Sequence, residues 1–193
     1  MSNSFINKLS KLLNLPDFAR KNCTWIREYK TFFYIFNIQI SKFRKEDFTI
    51  NIGIFVPDVN KLCWGKDVSS RSIKETDCCL RGRLSLFFDT KTDWFTINNE
   101  ADIEKVGDEI NNLINTLIVP FFQSITSLND IYNEMIKIEN KVIQKDLHQI
   151  YLACLEIVQG KNDDASVRLN KINNTIWKKK ADEILSNIKK NNT

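Results

Sequence analysis

The sequence predicts an α+β fold: an antiparallel sheet of about four or five strands with helices on one face, then a small helical appendage. Three observations lead there. Apolar and polar residues alternate with period two between Phe32 and Pro57. Past Asn98 the apolar period changes to that of a helix and stays there. Gly and Pro number only 5 and 3 in 193 residues, which favours long helices over irregular linkers. This length suits one medium domain with an appendage and allows a substantial core. The α+β domain is placed at residues 1–125 and the helical extension at 126–193.

Taken in order, Asn3 or Ser4 can cap a first helix with Phe5, Leu9, Leu12 and Leu13 on one stripe, stopped by Pro16. The segment 18–29 reads as a turn and a short strand, with Trp25, Arg27 and Tyr29 on one face. Two strand arms follow, joined by a charged turn over 42–47. Phe36, Ile38 and Ile40 share one face of the first arm, and Asn37, Gln39 and Ser41 the other. In the second arm Phe48, Ile50, Ile52 and Ile54 oppose Thr49, Asn51 and Gly53. Residues 58–77 read as a long irregular loop. Cys78–Phe88 reads as another strand, with Leu80, Gly82, Leu84 and Leu86 on one face and Arg81, Arg83 and Ser85 on the other. Asp93–Ile97 suits a closing strand.

Asn98 or Asn99 caps the next helix, whose first turn is acidic, as the helix dipole favours. Its stripe runs Ile103, Val106, Ile110, Leu113, Ile114, Leu117 and Ile118, and it is expected to cross the apolar side of the sheet. Pro120 interrupts it. Ser127 with Asp130 resembles a capping box opening a helix to about Ile138. Further helices fit 146–159, with Gly160 as C-cap, then 163–172 and 175–188.

The polar side of the paired arms is the odd feature. A solvated strand face usually carries Thr, Lys, Glu and Arg, whereas this one carries amides, and Asn is a poor strand former. It reads either as a recognition surface or as an ordinary wet sheet face, or as amides capped by a loop. If the strand at Cys78 joins with its leucines inward, Arg81 and Arg83 land beside Asn37, Gln39, Ser41 and Asn51. Guanidinium groups beside amides suit a carboxylate, a phosphate or an acidic protein surface, unless both arginines are paired with acids of a neighbouring element.

Charge and cysteine usage bound the partners. Residues 1–100 carry 16 Lys/Arg against 11 Asp/Glu, a net of +5, and residues 101–193 carry 12 against 13, a net of −1. That is far from a nucleic-acid footprint but compatible with an acidic protein or a small anionic ligand. Cys23, Cys63, Cys78, Cys79 and Cys154 show no metal-binding spacing, and His148 is the sole histidine, so neither metal nor cofactor is expected. Odd, unspaced cysteines suit buried thiols in a reduced cytoplasm, and no signal core or membrane span is expected.

The pieces FARKNCTWIRE, FNIQISKF, FTINIGIFVP, CLRGRLS, DWFTI and a helix ending VPFF, in that order, resemble a bacterial family catalogued as domain of unknown function 4304. The resemblance covers about residues 5–125 and is most specific at Asn37–Phe43, Phe48–Gly53 and Leu80–Arg83. It implies an α+β domain with no established activity, so no catalytic residues carry over. In that family an acidic or amide residue and a His often precede the arginine pair. Cys78 and Cys79 stand there in this chain, so no histidine role carries over.

The first functional reading is a non-catalytic binding module, with Asn37, Gln39, Ser41, Asn51, Arg81 and Arg83 as its site. By analogy with other small α+β proteins lacking catalytic motifs, a toxin-neutralising immunity role is one form of it. A nucleic-acid module and an enzyme follow behind. For an enzyme, Asp93 near the arginines and Cys79 beside Arg81 are the leads, and His148 falls on no apolar position and reads as a surface residue.

Overall fold

The structure is a computed structural model and describes residues 2–90 and 92–191. Two compact units divide the chain: Met1–Phe55 with Ser70–Thr126, and Val56–Ser69 with Ser127–Thr193.

In the first unit, α1 (Ser2–Leu12) begins ahead of the expected cap; the Asn3 side chain lies outside the described residues. Segment 18–29 forms two strands rather than one, β1 (Ala19–Lys21) and β2 (Thr24–Tyr29). They turn at Asn22, whose φ of 56° is a left-handed conformation that asparagine tolerates better than most residues. β3 (Phe32–Ile40) and β4 (Asp47–Phe55) are the expected paired arms. β5 (Leu80–Arg83) is shorter than the sequence suggests, because α3 (Leu84–Phe87) turns away, and β6 (Trp94–Thr96) closes the sheet. Among the described residues six strands run antiparallel in the order β1-β2-β3-β4-β5, with β6 also pairing β4.

The register separates two faces. Trp25 opposes Phe36, Arg27 opposes Tyr34, and Phe36, Ile38 and Ile40 oppose Ile52, Ile50 and Phe48. This apolar face carries the core, with Phe32, Phe36, Phe48, Ile50, Ile52 and Ile54 all fully buried. Helices cover this side. α4 (Ala101–Leu113) has Asn99 Oδ1 accepting from Ala101 N, as the sequence anticipates, and packs on α1 where Leu9 and Leu12 approach Gly107. Pro120 does not end the helix. A π-helical stretch over Ile114–Ile118 leads without a break into α5 (Val119–Ser124), and the widened turn just before Pro120 accommodates a ring that a regular helix interior would not. Phe122 of α5 stacks on Tyr34 at 4.9 Å between centroids, and Tyr34 OH donates to Ile125 O at 2.6 Å.

The second unit is helical. The expected loop at 58–77 instead opens with α2 (Pro57–Trp64), where Pro57 takes the first helical position and Gly65, at φ 66°, ends it. Trp64 explains why α2 belongs here: its Nε1 donates to Tyr151 OH at 3.1 Å, and its ring meets Trp177 edge-on. The remaining helices are α6 (Leu128–Ile138), α7 (Lys145–Val158), α8 (Asn162–Asn170) and α9 (Thr175–Asn191). Ser127 caps α6 by accepting from Asp130 N, and Gly160 follows α7 at φ 77°. α7 is the centre, buried at every position from Leu147 to Glu156 except Gln149.

No helix among the described residues is long and apolar enough to cross a membrane.

Candidate functional site

The amide face exists as the residues suggest, and it has two halves. Asn37 sits opposite Asn51, Gln39 opposite Thr49, Arg83 opposite Asn51 and Arg81 opposite Gly53. Opposed residues in adjacent strands share a face, so both arginines lie on the amide side. Ser41 is the exception. It lies past the end of β3, and its Oγ accepts from the backbone N–H groups of Phe43 and Arg44, so it shapes the turn.

The half around Gly53 is closed. Cys78 packs directly on Gly53, where an added Cβ would stand 2.9 Å from Cys78 Sγ and 3.1 Å from Leu80 O. The short 3₁₀ turn Glu75–Asp77 brings Glu75 within 3.4 Å of Arg81 Nη1. Burial pushes the Glu75 carboxyl above its ordinary range, and the neighbouring guanidinium only partly opposes this. Arg81 is therefore an internal ion-pair partner, as the sequence allows for either arginine.

The half around Asn51 is built differently. Asn51 Nδ2 donates to Gln39 Oε1 at 3.0 Å and to Asn37 Oδ1 at 3.5 Å. Asn37 Nδ2 in turn donates to Thr24 Oγ1 at 2.9 Å and to Cys23 O at 3.2 Å. This amide ladder uses the Gln39 oxygen and leaves its NH2 with no partner among the described residues, on an exposed side chain. Arg83 makes no ion pair among the described residues; its guanidinium lies over the Trp94 ring at 4.7 Å. Trp94 is 41% exposed. Thr49, flanked by Gln39 and Trp94, is wholly buried and its Oγ1 has no partner among the described residues.

The chain path explains how Arg83 and Trp94 meet. β5 ends with Arg83 opposite Asn51, and β6 begins with Trp94 opposite Thr49. On β4 these are successive positions of one face, so β5 and β6 together act as one edge strand interrupted by the segment from Leu84 to Asp93. Asp93 clasps the base of that excursion, its Oδ1 accepting from Ser85 N at 2.9 Å and its Oδ2 from Ser85 Oγ at 2.6 Å. Leu86 folds back against Gly82 on the apolar side, and Phe87 and Phe88 pack on Phe121. The excursion thus leaves the amide side uncovered at Arg83. Sequence reasoning missed Trp94 because its exposure follows from this interruption, not from any pattern of its own.

The leads for catalysis are all engaged structurally. The Cys79 thiol donates to Ile54 O, and burial raises the thiol of its neighbour Cys78, which was no lead, well above its ordinary pKa. Asp93 holds Ser85. His148, expected at the surface, is buried in the helical unit, with Nε2 2.9 Å from Met135 O. Burial holds its pKa below the ordinary value, so at neutral pH the ring is uncharged and Nε2–H donates. It was missed because α7 is buried nearly all round, so no single stripe marks its inward face.

Among the described residues, no group of three His, Cys, Asp or Glu is placed to hold a metal ion.

These features define a class: an α+β domain whose antiparallel sheet is helix-covered on its apolar side and carries a half-covered amide–arginine face on the other. Residues 11–124 match the family model described as Domain of unknown function (DUF4304), and the chain belongs to that family. No curated protein and no solved structure matches it.

Proposed function

We propose that this chain is a non-catalytic binding module, and that the open half of the amide face receives an acidic protein partner through Arg83 and Gln39. One observation carries the reading: of two arginines on one strand face, Arg81 is neutralised within the fold and Arg83 is not. The exposed groups on either side of Thr49, the Gln39 NH2 and the Arg83 guanidinium over Trp94, are donors, which suits carboxylates. The indole offers an apolar surface next to them, an arrangement typical of binding hot spots. Neutralising a toxin would be one instance, in which the acidic partner is the toxin.

The test is a pull-down from cell extract with wild type, Arg81→Ala and Arg83→Ala, after confirming their melting temperatures. A partner held by wild type and lost by fully folded Arg83→Ala is the expected result. Equal retention by Arg83→Ala would remove this face from consideration.

A second reading is favoured by one observation. An exposed Trp beneath an Arg also resembles a stacking platform for single-stranded nucleic acid. Binding to a single-stranded oligonucleotide that weakens steeply with salt and vanishes in Trp94→Ala would support it over a protein partner.

A further inference from the structure

We infer that the apolar side of the sheet carries a second, independent site, at its β2 margin, for a small planar carboxylate. Odd-numbered residues of β2 face the helical layer, where the register places Trp25, Arg27 and Tyr29 opposite Phe36, Tyr34 and Phe32. Arg27 is the charged residue in this aromatic row. It opens onto a pocket of about 180 Å³ lined by Arg27, Tyr29, Tyr34, Phe122 and Gln123.

The walls are flat. Tyr29 and Phe122 each stand at 33° to Tyr34, with centroids 5.5 Å and 4.9 Å away. They are held firmly: Tyr34 OH is fixed to Ile125 O, and Lys30 Nζ lies over the Tyr29 ring while donating to Thr126 O. The guanidinium is held loosely. Its ion pair among the described residues is with Asp17, at 3.7 Å, and the Asp17 side chain is 72% exposed. Asp17 also takes a left-handed φ of 65°.

A guanidinium among aromatic faces with a long, wet counter-ion suits a ligand that brings its own carboxylate and a flat apolar body. Arg27 would grip the carboxylate in a two-pronged contact, the ring would lie against the part-exposed Tyr29 above a buried floor of Tyr34 and Phe122, and the Gln123 amide would offer a further donor at the rim. The volume sets the size, since a cavity of about 150 Å³ accepts one benzene ring. The ligand class is therefore a benzoate-sized aromatic acid. This site shares no residue with the amide face and does not depend on the reading given for it.

The experiment titrates the full chain, followed by backbone amide NMR shifts, with benzoate and with the neutral benzyl alcohol. Saturable shifts at Tyr29, Tyr34, Phe122 and Gln123 with benzoate, and at least tenfold weaker binding of benzyl alcohol, are expected. Arg27→Met should weaken benzoate at least tenfold. Asp17→Asn, which removes the competing carboxylate, should tighten it several-fold. No saturable shift with benzoate, shifts centred elsewhere, or equal affinity for both probes would overturn the inference. So would Arg27→Met binding as wild type. Should Arg27→Met melt early, Arg27→Lys decides: it keeps the charge and loses the planar fork, so unchanged affinity there overturns the inference and weakened affinity supports it.

Discussion

Two polar clusters in this molecule contain the same kinds of groups and end in opposite states. In the helical unit, Glu156 of α7 is 2% exposed and accepts from Arg168 Nε and Nη2 and from Tyr132 OH. Arg168 Nη1 donates to Gln149 Oε1 at 2.6 Å, and Gln149 Nε2 donates to Glu139 Oε1 at 2.6 Å. Burial alone would lower the Arg168 pKa, but Glu156 and Tyr132 together outweigh it and keep it raised. Burial and the bond to Glu156 raise the Tyr132 hydroxyl as well. This cluster is closed and ties α6, α7 and α8 together. On the sheet, the amide ladder satisfies its inner groups and leaves a guanidinium and an amide pointing to solvent. The difference is one of counter-charge. A buried arginine needs a carboxylate within reach, and only the helical cluster and the Arg81 half supply one.

The sharpest way to break the closed cluster is Glu156→Ala, which strands Arg168 without its counter-ion. It should cost about 3–5 kcal/mol, read as a lower urea midpoint for the helical unit. Replacing Glu156 and Arg168 together by Leu and Met should recover most of that loss, because the pair's desolvation cost disappears with it.

Next in size is Gly53→Ala on the sheet. The new Cβ would meet Cys78 and the Leu80 carbonyl, so about 1–3 kcal/mol of stability should be lost in thermal or urea unfolding. A neutral result would mean that the closed half of the amide face yields easily.

His148 gives a pH signature to the helical unit. Its folded pKa lies below the ordinary value near 6.5, so on acidification the unfolded chain binds the proton first. Stability contributed by this residue is complete above about pH 6.5 and is lost as pH falls towards the lowered folded value, below which the loss stops. His148→Gln keeps a donor for Met135 O and should flatten the change. Urea midpoints at several pH values compare the two.

The smallest effects fall on the two strand arginines and separate them. Arg81→Met should cost up to about 1 kcal/mol, since its ion pair with Glu75 is partly exposed. Arg83→Ala should stay within about 0.5 kcal/mol, because it removes one solvent-facing stack. An Arg83→Ala protein that melted much earlier would make Arg83 structural and erase the contrast.

Much of the sheet was legible beforehand. Period two in β3 and β4 placed the amides, and extending it to the Cys78 strand placed Arg81 and Arg83 beside them. Neither arginine could be assigned a partner, because Glu75 comes from a turn with no periodic signature. The sequence makes β5 look too long because Leu84 and Leu86 continue the alternation while the backbone already turns into α3. The α2 helix hid for a related reason. Pro57 reads as the end of a strand, yet it equally opens a helix, and Trp64-Gly65 is that helix's closing signal. Glu156 and His148 were invisible because burial on all sides of α7 removes the contrast from which an inner face is inferred.

The edge strand made of β5 and β6 has a consequence for how the domain can diversify. Strand register on either side of the interruption is fixed by β4, and the clasp between Asp93 and Ser85 closes the intervening segment at its root. Chain length between Phe88 and Thr92 is thereby uncoupled from sheet alignment, at an entropic cost that grows only slowly with added residues. The domain thus contains a natural grafting point, where a longer or foreign segment can be carried beside the amide face without shifting a single strand.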